Sequence, residues 1–235
     1  METSRVDQSK WRHIRSFVRR EGRLTGAQQR AIELLGPRFM LEHQPQALDL
    51  DAVFDRQAPR YLEIGFGDGK ALAEMAAARP EVDFVGIEVH RPGVGSLLQQ
   101  VESHSLTNVR VICADAVEVL KTMLPDTALD KVFMFFPDPW HKTRHHKRRL
   151  LQADFAALVR KKLKPGGIFH MATDWKDYAM HMLVTMENAA GFANTSIDNT
   201  FVMRPSYRPL TKFEARGKRL GHGVWDLMFE RCDDN

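Results

Sequence analysis

The stretch 60-RYLEIGFGDGKALAEMAAARPEVDFVGIEV-89 decides the architecture. Residues 60-RYLEIG-65 form a short apolar run ending in glycine. Residues 70-KALAEMAAAR-79 are rich in Ala, the best helix former, and Pro80 stops that helix. Residues 82-VDFVGIEV-89 are again an apolar run, with the Val, Ile and Phe that suit a strand. Strand, glycine turn, helix and strand make a βαβ unit, with parallel strands joined by a right-handed crossover.

The same alternation continues outward. A helix is expected over 92-PGVGSLLQQVESH-104, a strand over 109-VRVICAD-115 and a helix over 116-AVEVLKTML-124. A strand follows at 130-DKVFMFF-136, then a helix at 149-RLLQADFAALVRKKL-163 that Lys164-Pro165-Gly166-Gly167 ends. Strand 168-IFHMATD-174 and helix 176-KDYAMHMLVTMENA-189 come next, and Ile197 to Arg231 reads as strand, long loop, strand. The strands carry apolar residues at successive positions, as sheets covered on both sides do. The expected fold is therefore α/β: a mostly parallel, twisted, doubly wound sheet with helices on both faces. Residues 1–35 read as a basic tail and 36–235 as a single domain.

Composition narrows the class. The chain has 235 residues, 43% of them hydrophobic, with no repeat and no low-complexity segment. No apolar run approaches the ~18 residues of a membrane span. The N-terminus lacks the apolar core of a secretory signal, and Glu2, Asp7 and Glu21 argue against a transit peptide. Cys113 and Cys232 are too few for a disulfide framework or a zinc site and read as free thiols of a cytoplasmic protein. The net charge is only +4, but the first 30 residues hold Arg5, Lys10, Arg12, Arg15, Arg19, Arg20, Arg23 and Arg30. Clustered basic charge points to nucleic acid or another anionic surface.

In a doubly wound sheet the ligand sits beyond the carboxyl ends of the strands. The first such loop, 63-EIGFGDGK-70, places Gly65, Gly67 and Gly69 between strand and helix. Glycine lets the chain turn tightly and approach a ligand closely, or serves a tight turn and nothing more. The spacing is not the G-x-G-x-x-G of dinucleotide sites. Glu63 precedes the turn, where it could hold an ammonium group. Glu88 ends the second strand, where a carboxylate can accept ribose hydroxyls or simply face water. Asp115 follows the third strand, either to accept from an adenine amino group or to cap the next helix. These acids would repel a pyrophosphate and suit a cationic nucleoside. S-adenosylmethionine, with its ribose, adenine, ammonium and sulfonium, fits, which implies a Rossmann-like class I methyltransferase.

The fourth loop belongs to 132-VFMFFPDPWHKTRHHKRRLL-151. A buried strand ends at Pro137-Asp138-Pro139-Trp140, and the two prolines stiffen the placement of one carboxylate. Trp140 either packs on a base or covers the sheet edge. Lys142, Arg144, Lys147, Arg148 and Arg149 follow, as expected where a phosphate backbone lands. His141, His145 and His146 have helical spacing, but no acid or cysteine completes a metal set, so no metal is expected.

Together, 135-FFPDPWHKTRHHKRR-149 and 211-TKFEARGKRLGHGVWDLMFER-231 make the chain resemble the bacterial tRNA (guanine-N7-)-methyltransferase family, a likeness that extends to 15-RSFVRREGRLTGAQQRAIE-33, 62-LEIGFGDGK-70, 86-GIEV-89 and 173-TDW-175. The resemblance implies methyl transfer from S-adenosylmethionine to the variable-loop guanine at tRNA position 46. It implies that Glu63, Glu88, Asp115 and Asp138 contact the cofactor and that Asp138 is catalytic. It further implies that Lys142, Asp174 and Thr211, Lys212, Phe213 and Glu214 bind the guanosine, and that Arg144, His145, His146, Lys147, Arg148 and Arg149 touch RNA. Thr211 and Glu214 also match a helix capping box, and both roles are compatible. A methyltransferase of proteins or small amines would leave the basic cluster unexplained. A non-catalytic RNA-binding module would leave the acids unexplained. The sequence leaves open a monomer or a homodimer.

Overall fold

The computed structural model describes residues 22–210, Glu214 and residues 223–233. The chain enters at α1 (Gly26–Phe39). The Thr25 hydroxyl accepts from the Gln28 amide at 3.2 Å, and the Gln28 side chain accepts from the Thr25 amide at 2.9 Å. This reciprocal pair satisfies two amides at the helix start. β1 (Met40–Leu41) and α2 (Leu50–Phe54) follow. The alternation read from the sequence then runs through β2 (Arg60–Ile64), α3 (Lys70–Ala78), β3 (Asp83–Ile87), α4 (Arg91–Ser103), β4 (Val109–Ile112), α5 (Ala116–Thr122) and β5 (Leu129–Phe135). A 3-10 helix (Thr143–Arg148) leads to α6 (Ala153–Lys162), β6 (Leu163–Thr173), α7 (Lys176–Glu187), β7 (Phe192–Asn194) and β8 (Trp225–Arg231).

These strands form one sheet in the order β1-β4-β3-β2-β5-β6-β8-β7. All neighbours from β1 to β6 are parallel, whereas β8 runs antiparallel to both β6 and β7. The chain winds outward from β2 through β3 to β4, and on the other side from β5 to β6. The switch point therefore lies between β2 and β5, and a ligand crevice opens there at the carboxyl ends.

Side chains alternate across the strands, and both sets are apolar. Leu62, Ile64, Val85, Ile87, Val132 and Met134 join one buried cluster with α2, α5, α6 and α7. Phe84, Val109, Val111, Phe133 and Phe135 join the other with α1, α3 and α4. Alternate residues point to opposite faces, so continuous apolar runs are what a sheet covered on both sides requires.

Four expectations need correction. The helix expected from residue 149 begins at Ala153, because residues 143–148 turn as a 3-10 helix first. The helix stops before Lys164-Pro165-Gly166-Gly167 as expected, but the strand expected from Ile168 begins at Leu163, so this stretch lies within β6. A register shift between Leu129 and Lys131, with Gly166 at φ +74, absorbs the irregularity. The strand expected near Ile197 lies earlier, at β7, and Val202 makes only an isolated bridge to Asp226. The tail boundary expected at residue 35 falls inside α1, whose Ala31, Gly36 and Phe39 are buried. A Cβ placed on Gly95 of α4 would meet the Gln28 Cβ at 2.7 Å, so α1 rests directly on α4. Residues 1–21 of the expected tail lie outside the described residues.

Candidate active site

β2 delivers the glycine turn. Gly65, Gly67 and Gly69 all have positive φ, at 71°, 61° and 78°. An L side chain adopts that region only with strain, so glycine is required here by backbone geometry. A Cβ on Gly65 or Gly67 would meet nothing within 4 Å, whereas one on Gly69 would lie 2.5 Å from the Leu97 Cβ. The first two glycines thus border open space, and the third lets α3 and α4 close together.

Glu88 holds this turn in place. Its Oε2 accepts from the Gly67 amide at 3.0 Å, and its Oε1 accepts from the Val89 and His90 amides at 2.6 and 2.9 Å. A carboxylate has about four acceptor positions, so about one is left for a ligand. The expected grip on both ribose hydroxyls is correspondingly narrowed. Asp115 caps α5, its Oδ1 accepting from the Val117 amide at 2.8 Å. Of the two readings open for Asp115, the cap is the one visible in these contacts.

Glu63 is 3% exposed, and its Oε2 has no hydrogen-bond partner among the described residues. Burial, with the nearby charges of Asp68 and Glu88, pushes its carboxyl up to about 8. A buried acid with an unmet oxygen beside a glycine turn is prepared for a cationic partner.

β5 delivers the second wall. Phe136 and Trp140 bracket Pro137-Asp138-Pro139, and both have positive φ, at 51° and 48°. Left-handed backbone at bulky residues costs of order 1 kcal/mol each and persists only where the surroundings enforce it. The Phe136 amide donates to the Ala172 carbonyl at 2.7 Å. Arg149 donates from Nε to the Pro139 carbonyl at 2.9 Å. Between these two anchors Asp138 stands exposed, and no hydrogen bond or ion pair engages its carboxylate among the described residues. The two walls enclose a cavity of about 690 Å³, bordered by Gly65, Gly67, Glu88, Asp138, Lys142 and His145. That size suits a nucleoside-sized ligand.

The basic run divides into two kinds of residue. Arg144 and Lys147 are exposed, and Arg148 lies over the Trp140 ring at 5.1 Å. Arg149 is 2% exposed and does not belong to the RNA surface expected of it. It braces Pro139, pairs with Asp177 and lies 4.8 Å over the Tyr178 ring. That pairing holds the Asp177 carboxyl below its ordinary range. His146 sits beside the brace, 3.0 Å from Arg149 Nη2 and 3.7 Å from Asp177. His145 packs edge-on to Trp140, and desolvation with the surrounding Arg and Lys charges lowers its pKa. His141 packs edge-on to Trp175 at 4.2 Å. The three histidines therefore diverge, and no group of three or more potential ligands is placed to hold a metal among the described residues.

Asp174 is half-buried just past β6, beside the loop after β5, but does not border the cavity. Thr211, Lys212 and Phe213 lie outside the described residues. Glu214 is described and does not face the cavity: it is 2% exposed and pairs with Arg208 at 2.8 Å. The capping-box reading needs Thr211 and also falls outside. Sequence reasoning passed over His90 and Met134, which border the cavity. His90 follows Glu88 by two residues, so the strand-end rule alone could have found it.

The profile of a family described as "Putative methyltransferase" matches residues 57–227. A tRNA (guanine-N(7)-)-methyltransferase from Alcanivorax borkumensis is 58% identical over 220 residues, covering 94% of this chain and 92% of the relative. The protein of the same name from Yersinia enterocolitica is 60% identical over 220 residues, with the same coverage of 94% and 92%. The chain belongs to the tRNA (guanine-N(7)-)-methyltransferase family. Among solved structures, the 16S rRNA (adenine(1408)-N(1))-methyltransferase from Catenulisporales acidiphilia, crystallised with cosubstrate SAM, superposes with a TM-score of 0.56 at 18% identity, covering 83% of this chain and 94% of that one. At that identity the likeness speaks for the class I methyltransferase fold. In this chain the glycine turn and the Asp138 loop are the two facing walls of one cavity. No helix among the described residues is long and apolar enough to cross a membrane.

Proposed function

We propose that this chain transfers a methyl group from S-adenosylmethionine to N7 of a guanine in tRNA, at position 46 of the variable loop. The observation that carries the reading is the cavity at the switch point, with Gly65, Gly67 and Glu88 on one wall and Asp138 on the other. Family membership gives that cavity its chemistry.

The residues present fit the cofactor. Glu63 has a buried oxygen in need of a cationic donor, and the glycine wall is open where a side chain would intrude. Glu63 would receive the ammonium group, and Glu88 would accept from one ribose hydroxyl while keeping the turn in place. S-adenosylmethionine supplies an electrophilic methyl group on a sulfonium.

Asp138 works on the other partner. Guanine N7 has a lone pair and no proton, so no base has to remove one. Positive charge develops on the purine as the new bond forms, and a fixed carboxylate beside it stabilises that charge. The stiff proline flanks and the two backbone anchors keep Asp138 in place beforehand, so no reorganisation is needed during reaction. Asp174 would accept from the guanine N1–H and N2 amino edge, which adenine cannot offer. Lys142, Arg144, Lys147 and Arg148 would meet tRNA phosphates. Exposing a base from the tRNA core costs a few kcal/mol, and phosphate contacts offset part of it.

The test is methyl transfer from labelled S-adenosylmethionine to unmodified tRNA, followed by nucleoside mass spectrometry, with wild type beside Asp138→Ala. Wild type is expected to yield 7-methylguanosine and the variant far less. Cofactor binding without any tRNA methylation would reopen the substrate assignment.

A further inference from the structure

Arg149 is a buried guanidinium, so its donors need acceptors within the fold. Its Nε donates to the Pro139 carbonyl at 2.9 Å, one residue past Asp138. Its Nη2 has two hydrogens and two neighbours. One neighbour is Asp177 Oδ2, which accepts in an ion pair. The other is His146 Nε2, at 3.0 Å. A guanidinium offers donors and no acceptor, so in this contact the imidazole nitrogen must accept. An imidazole that accepts at Nε2 is neutral and carries its proton on Nδ1. The contact with Arg149 therefore sets both the charge and the tautomer of His146.

The surroundings keep the ring at this post. The Arg149 amide donates to the His146 carbonyl at 3.0 Å, and the Gln152 side chain donates to the same carbonyl at 3.1 Å. The His146 side chain is 28% exposed, so solvent protons reach it. The groups around it come from three elements. Arg149 faces the ring from the end of the 3-10 helix, and Asp177 faces it from α7 at 3.7 Å. The hydrogen bond from Arg149, with the charges of Arg149, His146 and His181, holds the Asp177 carboxyl low. His181 itself stands with Nε2 2.9 Å from the Leu151 carbonyl. Tyr178 of α7 lies under Arg149, its phenol kept protonated by burial. From the start of α6 comes Gln152, which is uncharged and meets the His146 backbone. Along the 3-10 helix, Lys147 is exposed and Arg148 lies over the Trp140 ring.

Protonation reverses the contact. A hydrogen on Nε2 would face the Arg149 Nη2 hydrogens across 3.0 Å, two cations with no acceptor between them. The imidazolium would turn to Asp177 and compete with Arg149 for it. Arg149 then loses one acceptor and shares its counter-ion, and it is the residue that ties Pro139 back to the 3-10 helix. We propose that His146 is a positioning residue for methyl transfer: as a neutral ring it holds Arg149 on the Pro139 carbonyl and so keeps Asp138 in place, and as a cation it lets that brace go. His146 thereby serves the reaction through Arg149 rather than as an RNA contact.

The proposal rests on the tRNA methyltransferase reading, and the test separates the two. Full-length wild type, His146→Gln and His146→Ala are assayed for kcat and KM with tRNA across pH 5 to 8, the range in which imidazoles change charge. Melting temperatures show that each sample is folded. Glutamine offers an uncharged acceptor at nearly the reach of Nε2 and does not titrate. Groups common to all three proteins, such as Glu63 and His145, cancel in the ratio of wild-type to variant kcat. His146→Gln is expected to stay within about 3-fold of wild type near pH 8 and to exceed it by about 10-fold near pH 5, the order of one hydrogen bond to a charged group. His146→Ala lacks the acceptor, so it should fall about 10-fold below wild type near pH 8 and lie close to it near pH 5. KM for tRNA should change far less than kcat. Ring nitrogen NMR spectra of wild type, with His146 assigned by its absence from His146→Gln, should show Nε2 unprotonated near pH 8. A protonated Nε2 there would overturn the proposal, as would a ratio of wild-type to His146→Gln kcat that stays constant from pH 5 to 8. So would variants that change KM for tRNA and leave kcat alone, since that is what an RNA contact predicts. Absence of tRNA methylation by wild type would instead overturn the reading on which the proposal rests.

Discussion

Arg149 reaches back ten residues to hold the Pro139 carbonyl at 2.9 Å, closing the chain that runs from Asp138 through the 3-10 helix into a bridged loop. A residue that reads as one more cation in a basic run is therefore a brace for the Asp138 loop. Its partner Asp177 is 60% exposed, so their ion pair adds little in water and the buried hydrogen bond and ring contact matter more. Arg149→Met is expected to lower stability by about 1–3 kcal/mol and to reduce kcat. The salt dependence of tRNA binding should stay as in wild type. Lys147→Ala should do the reverse, leaving stability unchanged while reducing the slope of log K against log salt by about 1. Thermal melts and binding isotherms at several salt concentrations distinguish the two.

Asp138→Asn preserves the shape of the side chain and removes its charge. If the carboxylate stabilises positive charge developing on the purine, the variant should lose about 10²–10³ in kcat, the scale seen when one preorganised electrostatic contact is removed. KM for both substrates should change far less. Turnover near the wild-type value would show that position matters and charge does not.

Gly93 offers a sharper test of the glycine wall than the turn itself. A Cβ there would lie 2.1 Å from the Gly67 carbonyl oxygen and 3.4 Å from the Glu88 Cγ. Neither backbone can yield without displacing the turn that Glu88 holds. Gly93→Ala should therefore abolish S-adenosylmethionine binding in calorimetry, although helix propensity alone favours Ala over Gly by about 1 kcal/mol. Gly26→Ala, where a Cβ would meet nothing within 4 Å, should leave binding intact.

What was legible in the sequence follows from which forces are local. The βαβ alternation rests on apolar periodicity and helix stops, so β2 through β5 and α3 through α5 lie within a few residues of expectation. The strand-end rule then points to Gly65, Gly67, Glu88 and Asp138, all of which border the cavity. The pairings that redirect charged residues are long-range and leave no local trace. Arg149 meets Asp177 across 28 positions, and His170 meets Asp226 across 56. Nothing in the spacing tells a buried arginine from an exposed one, so Arg149 and Glu214 were expected to touch ligands. Pro-Gly-Gly reads as a helix stop, and the register shift by which a neighbouring strand also accommodates it inside β6 leaves no local trace.

Glu63 makes the folded chain sensitive to pH in a predictable direction. Its carboxyl, at about 8 in the folded chain against an ordinary 4.5, keeps its proton at neutral pH. The folded state thus binds more protons than the unfolded state between these values, so this group's contribution to stability declines as pH rises from about 4.5 through about 8. Glu63→Gln resembles the protonated acid and should remove that decline. Its melting temperature should match wild type near pH 5 and exceed it at pH 9. An ammonium partner would favour the ionised form instead, so binding S-adenosylmethionine to wild type at pH 7 should release close to one proton. Calorimetry at pH 7 in buffers of different ionisation enthalpy reads that release directly. Proton release by wild type but not by Glu63→Gln would place the ammonium on Glu63. Equal heats in all buffers would mean that the buried carboxyl stays protonated and the ammonium is held elsewhere.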